Sequence, residues 1–408
     1  MKRVVVLAPE PIRPRMAGMG IRALELARAL RAEFDALLIV PNGEAEARSV
    51  AADVPVVSVG SAGLARAASG AEAAVVSGHA ADAWFRQVPE IPVAADLYDP
   101  FPIENLHYAA ALGPAVARHD RETFARTLAR ADFFLCASPE QRLFYAGALY
   151  GAGRIGPRNF PQDPALEGLL AVVPFGVPPE PASGDRARGR AAAGVPPDGP
   201  LLLFGGIYDW YAPDLLLDAW PEVRRRVSGA RLLFFENPNP DTTPQNAFSR
   251  ARERARALDP AGGEIVFSPW LPYGERADLY AAADLAVSIG AEGIESDLAF
   301  RTRLLDAAWG GVPSISVGGG TLAGELEEGG AGRCVGRDAA ALAREIAALL
   351  AAGTDSRAAA RRFAAQRSWN RVAEPLLRWC HRARVDAGRL APPAEASRSL
   401  WRRLRSAR

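Results

Sequence analysis

The sequence predicts an α/β protein made of two parallel-sheet lobes that face a cleft. Three observations carry that prediction. Short β-branched apolar runs alternate with Ala- and Leu-rich amphipathic stretches, which is the rhythm of βαβ units. That rhythm breaks once, at 174–200, where Pro174, Pro178, Pro179, Pro181, Pro196, Pro197 and Pro200 crowd together, and then restarts. The length, 408 residues, suits two or three domains.

In the first half, strands are expected at Val4–Leu7, Ala36–Val40, Ala73–Val76, Val93–Ala95 and Phe133–Cys136. Each is short, apolar and bounded by turn residues, as strands buried on both faces are. Helices are expected at Ile21–Leu30, Gly113–Ala131 and Pro139–Leu149; Ile21, Leu24 and Ala27 share one stripe. Proline fixes φ and removes a donor, so the interruption reads as a linker with one short helix inside it. In the second half, strands are expected at Leu201–Phe204, Leu232–Phe235, Ile265–Phe267, Leu285–Ile289 and Ser314–Val317. Helices are expected at Pro213–Arg226, Gln245–Ala257, Gly274–Ala282, Thr302–Trp309 and Asp338–Ala352. A long amphipathic helix follows over Trp369–Asp386. The organisation is thus a first lobe over 1–178, a linker over 179–200, a second lobe over 201–368, a helical return over 369–390 onto the first lobe and a basic tail over 391–408. Open parallel sheets bind ligands at the carboxyl ends of their strands, so both lobes can serve one cleft.

Composition narrows the function. With 49% hydrophobic and 23% charged residues the chain is globular rather than disordered. A net charge of +1 supplies no field for nucleic acid, so no nucleic-acid partner is expected. No apolar run is long enough to span a bilayer. The opening MKRVVVLAPEP turns polar too early for a signal peptide, so a cytoplasmic protein is expected. Cys136, Cys334 and Cys380 are too dispersed for a disulfide framework or a metal spacing. In the tail, Arg398, Arg402, Arg403, Arg405 and Arg408 flank Leu400, Trp401 and Leu404. That pattern suits either a solvated terminal helix or peripheral contact with an anionic membrane at its inner face.

Three segments carry candidate chemistry. Pro11–Gly20 turns from the first strand into a helix; Gly18 and Gly20 let backbone approach a ligand, and the helix N-terminus favours phosphate. A dinucleotide fingerprint is absent there. Gly205–Tyr211 repeats the device in the second lobe, with Tyr208, Trp210 and Tyr211 available to stack on a base or sugar, or to pack in the core. Glu292–Asp306 places carboxylates upstream of Arg301, Thr302 and Arg303 and begins a helix carrying Asp306. Arginine forks suit phosphate oxygens, and a carboxylate one turn in can accept from ribose hydroxyls; a solvated ion-pair network is the alternative.

Leu304-Leu-Asp306-Ala-Ala-Trp-Gly-Gly-Val-Pro313 resembles the L-E-A-x-A-x-G-x-P stretch of retaining glycosyltransferases of the GT-B fold, family four. Val173-Pro-Phe-Gly-Val-Pro178 resembles their interdomain V-I-P-N-G-V segment. Gly18–Ala27 resembles their first glycine loop and helix, and Ala131–Ser138 the strand closing the first lobe. Phe300–Asp306 and Asp96–Pro100 resemble a bacterial subgroup. The matches run in the family's order over about residues 1–380. The resemblance implies two Rossmann-like lobes in GT-B architecture. It also implies a nucleoside-diphosphate sugar as co-substrate, a hydroxyl acceptor, retention of anomeric configuration and no metal or other cofactor. Surface polysaccharide or glycolipid assembly, with a lipid-linked glycan among the acceptors, would be the setting.

The family's residues carry over unevenly. Asp306 stands where the second of two family glutamates stands, but the first position is Leu298, so Glu295 or Asp297 is expected to replace it from a differently bent loop. The Arg and Lys that clamp the donor diphosphate fall on Gly206 and about Tyr211, so the clamp is expected to have moved to Arg301 and Arg303. Gly205, Gly206, Tyr208, Thr302 and Asp306 complete the expected donor site. His79, after a first-lobe strand, is placed near the transferred sugar by the resemblance. Gly18, Gly20, Arg22, Asp96 and Asp99 form the expected acceptor or phosphate loop. A sugar-nucleotide 2-epimerase of the same fold and a non-catalytic nucleotide-sugar binder are the competing readings. The first would need more acid and base groups in the cleft, and the second is favoured by the missing Arg/Lys pair.

Overall fold

The computed structural model describes residues 1–88, 90–239 and 243–390. Two wholly parallel sheets organise it. The first contains β1 (Arg3–Leu7), β2 (Asp35–Val40), β3 (Val56–Ser58), β4 (Ala73–Ser77), β5 (Val93–Asp96), β6 (Phe133–Cys136) and β7 (Leu170–Val172), in the order β3-β2-β1-β4-β5-β6-β7. The second contains β8 (Leu201–Gly206), β9 (Arg231–Phe235), β10 (Ile265–Ser268), β11 (Leu285–Ile289), β12 (Ser314–Val317) and β13 (Gly332–Cys334), in the order β10-β9-β8-β11-β12-β13. Their middle strands are buried along nearly their whole length because helices cover both faces. In each sheet the winding reverses beside the first strand, between β1 and β4 and between β8 and β11. Those crevices are where open parallel sheets bind ligands.

The sequence reading misses β3, β7 and β13, each only three residues long and too short to show a run. The expected single helix over 369–386 is instead two, Trp369–Val372 and Glu374–His381. Pro375 has no N–H with which to continue the first helix, but fits the first turn of the second. The Arg186–Ala192 helix within the proline-rich stretch packs on the Arg276–Ala282 helix of the second lobe. Gly184 and Gly189 permit this, since a Cβ at either would collide with the backbone of Ala277 or Asp278.

Two chain crossings join the lobes, and they lie side by side. Val177 N–H donates to Arg367 O and Trp369 N–H to Val177 O. Beyond them the return helices pack on the first lobe: Trp379 stacks on Phe133 at 5.5 Å, and Lys2 Nζ donates to Cys380 O at 2.8 Å. Among the described residues no helix is long and apolar enough to cross a membrane. The arginine-rich segment 391–408 lies outside the described residues.

Candidate active site

A cavity of about 400 Å³ lies between the carboxyl ends of the two sheets. The loop after β1, the segment after β5 and Glu104 form its first-lobe wall. The segment after β8, Trp270–Tyr273, Arg276, Phe300–Arg303 and Asp306 form its second-lobe wall.

The second-lobe wall is cationic and aromatic. β8 bulges at Gly205, whose φ of +85° favours glycine. Arg303 folds against that glycine and donates to the carbonyls of Phe204 at 2.6 Å and Gly206 at 2.8 Å. Its guanidinium lies over the Tyr211 ring at 4.0 Å. No carboxylate pairs with it, so its charge stays available at the end of β8. Position 206 must be glycine because a Cβ there would stand 2.5 Å from the Trp270 ring. The tryptophan thus occupies the space that an arginine at 206 would need. Arg301 differs from Arg303: it is 6% exposed and gripped by both oxygens of Glu295, at 2.9 and 2.7 Å, so its charge is cancelled on the spot.

Arg276, which the sequence reading does not single out, lies over Tyr273 at 3.7 Å and Trp309 at 4.8 Å. Its Nε is 4.0 Å from Asp306. Burial pushes the Asp306 carboxyl up to about 6 against the pull of Arg276.

The first-lobe wall is acidic. Arg22 is sealed behind it, bonded to both oxygens of Asp96 at 2.6 and 2.9 Å and to the carbonyls of Val173 and Pro174. Facing the cavity, Asp99 and Glu104 meet carboxyl to carboxyl. Burial first, and then each other's neighbourhood with Glu295, raises both, Glu104 the further. Glu10 accepts from Gly20 N–H at 2.6 Å and, across the cleft, from Asn239 at 3.3 Å.

Of the expected site residues, Gly18, Asp99, Gly205, Gly206, Tyr208, Arg301, Thr302, Arg303 and Asp306 line the cavity. Glu295, Arg22 and Asp96 lie behind its walls as ion-pair partners, and Gly20 lies under Glu10. Asp297 is exposed, beside Gly319. His79 lies outside the cavity lining; it pairs with Asp120 at 3.0 Å and stacks on His119 at 5.1 Å, and burial lowers its pKa. Glu10, Glu104, Arg276 and the ring pair Trp270 and Tyr273 are lining residues that the sequence reading missed.

The lobes are closed on each other. Tyr273 N–H donates to Pro14 O at 2.7 Å, its hydroxyl to Glu25 at 2.9 Å, Trp270 Nε1 to Met16 O at 3.2 Å and Gln141 to Leu298 O at 2.8 Å.

Comparison with known proteins agrees with this geometry. Residues 199–352 match the family model described as Glycosyl transferases group 1. Over its full length the chain superposes on crystal structures of Anabaena Alr3699/HepE in complex with UDP-glucose, with a TM-score of 0.65 at 17% identity. That superposition covers 92% of this chain and 99% of the other. A glycosyltransferase from Rickettsia africae superposes with a TM-score of 0.62 at 15% identity, covering 94% and 98%. The fold is GT-B. Among curated sequences the chain is similar to D-inositol 3-phosphate glycosyltransferase of Nocardia farcinica, at 33% identity over 235 residues, 54% of this chain and 51% of the relative. The enzyme of that name from Kineococcus radiotolerans is 34% identical over 242 residues, 55% and 53%. The chain spans about half the length of the curated relatives it matches. Its GT-B cleft carries the group 1 domain in the wall that holds Arg303.

Proposed function

We propose that this GT-B protein is a metal-independent, retaining glycosyltransferase of family four, moving a hexose-type sugar from a nucleoside-diphosphate donor to a hydroxyl acceptor. Surface polysaccharide, glycolipid or related glycoconjugate assembly is the setting this reading gives it. The observation that carries it is Arg303, a guanidinium without a carboxylate, held at the end of β8 facing the cavity in the domain that matches group 1 glycosyltransferases. The neighbour solved with UDP-glucose and the relatives named for glycosyl transfer support the same donor class.

In this reading the diphosphate lies between Arg303 and Arg276, and Asp306 accepts from the ribose. The bond from the anomeric carbon to the diphosphate oxygen breaks, and the acceptor oxygen bonds to the same face. The acceptor proton passes to the departing diphosphate. Negative charge growing on that group is stabilised by the two arginines in a cleft whose closed lobes exclude water. Among the described residues no group of three His, Cys, Asp or Glu side chains is placed to hold a metal ion, and the arginines take that electrostatic task.

The epimerase reading gains nothing from the comparisons. Donor turnover separates the three readings. Slow release of UDP from UDP-glucose, undiminished by EDTA, is the expected result. Interconversion of the sugar would establish an epimerase, and binding without turnover a non-catalytic binder. Co-sedimentation with anionic vesicles, with and without 391–408, tests whether the acceptor is met at a membrane.

A further inference from the structure

The two walls of the cavity differ in charge, and the difference bears on the acceptor. Among the described residues, the first-lobe wall contributes no cation. Arg22 is spent on Asp96 behind it. Arg13, on the loop after β1, is turned to Asn239 and Pro238, and Arg15 is exposed. The only lysine, Lys2, is bonded to Cys380 O. The arginines that keep charge toward the cavity, Arg276 and Arg303, both belong to the opposite wall.

What the first-lobe wall does present is carboxyl groups. Around the meeting of Asp99 and Glu104 stand Asp96, Glu295, Arg22 and Arg301, with Tyr98 and Tyr211 beside them. The arginines are matched one to one by Asp96 and Glu295, each through two hydrogen bonds. Asp99 and Glu104 are left without a cation, and Asp99 Oδ1 is shut off from solvent with no donor. Held this close in a poorly solvated wall, two carboxyl groups share a proton unless a cation arrives. An approaching phosphate would meet like charge and no donor to offset its desolvation.

We infer that the acceptor is a small sugar or polyol bearing a primary ammonium group, held by Asp99 and Glu104, and is not a phosphate ester. An ammonium brings three donors and the missing charge to two carboxylates that otherwise have neither. The closed cavity of about 400 Å³ suits a small partner rather than a polymer. The acceptor class therefore differs from the inositol 3-phosphate for which the curated relatives are named. Like the donor assignment, this inference rests on the cavity being the transfer site.

The test measures equilibrium binding to the full-length protein saturated with UDP, near neutral pH. The probes are 6-amino-6-deoxyglucose, glucose and glucose 6-phosphate, which differ at one position, with glucosamine placing the ammonium elsewhere. At least one amine is expected to bind about tenfold or more tighter than glucose, and glucose 6-phosphate weaker than glucose. The doubly isosteric variant Asp99→Asn with Glu104→Gln should remove the amine preference. Equal binding of amines and glucose, tighter binding of the phosphate ester, or an amine preference that survives in the variant would each overturn the inference while leaving the transfer site standing. Failure of UDP itself to bind would overturn both.

Discussion

Each wall of the cleft is backed by one buried arginine–carboxylate pair, Arg22–Asp96 in the first lobe and Arg301–Glu295 in the second. Only the second wall has arginines left over. There, Arg276 and Arg303 rest on aromatic rings, which hold a guanidinium in place without cancelling its charge. In the first wall the surplus groups are carboxyls. The comparison teaches that counting arginines near a cleft says little; their partners decide which of them can meet a substrate. An arginine closed by a bidentate carboxylate shapes the wall, whereas one lying on a tyrosine face offers charge to a ligand.

The largest effect that could break this comparison is on stability. If the Arg22–Asp96 pair is structural, Arg22→Ala leaves a 5%-exposed carboxylate without its partner and without the link to Val173 and Pro174. Removing one member of a buried pair costs roughly 3–5 kcal/mol. Glu295→Ala should cost a similar amount in the second lobe by stranding Arg301. Denaturant unfolding measures both. A loss below about 1 kcal/mol for either would show that the pair is relaxed and that its arginine can be redeployed to a ligand.

The fold was largely legible because its signals are local. Apolar runs such as Leu285–Ile289 are bounded by polar residues, and the proline cluster separates the two halves. The site was legible only in part. Arg301 and Arg303 lie two residues apart and look equivalent in sequence, yet Glu295 takes one and the β8 carbonyls take the other. Nothing in the local pattern separates them, since the choice depends on how the 294–300 segment bends. The missing arginine at 206 read as a lost function. Its reason is Trp270, which is distant in sequence and covers that glycine. Glu104 and Arg276 sit in short helical turns whose charges look like ordinary solvated ones, and only the closing of the lobes brings them to the cavity. Asp99 was legible from its place after a strand, but its pairing with Glu104 was not.

The next test separates the two arginines. Arg303→Ala should weaken UDP binding by about 1.5–3 kcal/mol, or roughly ten- to a hundredfold, because it removes a charge-assisted bond to phosphate. Arg301→Ala should act chiefly on stability by stranding Glu295. Calorimetric titration with UDP, together with unfolding of both variants, checks this. Unchanged UDP affinity in Arg303→Ala would remove the donor assignment from this wall.

A smaller effect concerns Asp306. Its carboxyl is pushed up to about 6 in the folded protein, mainly by burial, while an unfolded aspartate titrates near about 3.9. Between those values the native state holds a proton that the unfolded chain has released. Stability therefore falls as pH rises through that window and levels off above it. The contribution lost is on the order of 1–3 kcal/mol, and Asp306→Asn should lack it. Comparing unfolding of the two proteins from below to above that window measures it; a gap that does not change with pH would mean that Arg276 neutralises the carboxylate after all.

The smallest effect concerns how the two walls are held together. Tyr273 belongs to the second lobe, but its hydroxyl donates to Glu25 on the first-lobe Gly18–Leu30 helix, and its ring carries Arg276. Closing the lobes and placing Arg276 are therefore done by one side chain. Tyr273→Phe keeps the ring under Arg276 and removes only the bond across the cleft. Such a bond contributes about 0.5–1.5 kcal/mol, enough to shift an open–closed balance by a few- to about tenfold. The variant should scatter X-rays as a more extended particle without ligand and regain the compact form with UDP, because the diphosphate bridges the walls in its place. Tyr273→Ala removes the ring as well and should weaken UDP binding in addition. If both variants bind UDP alike and scatter alike, the ring does not position Arg276, and the second wall has Arg303 as its single phosphate group.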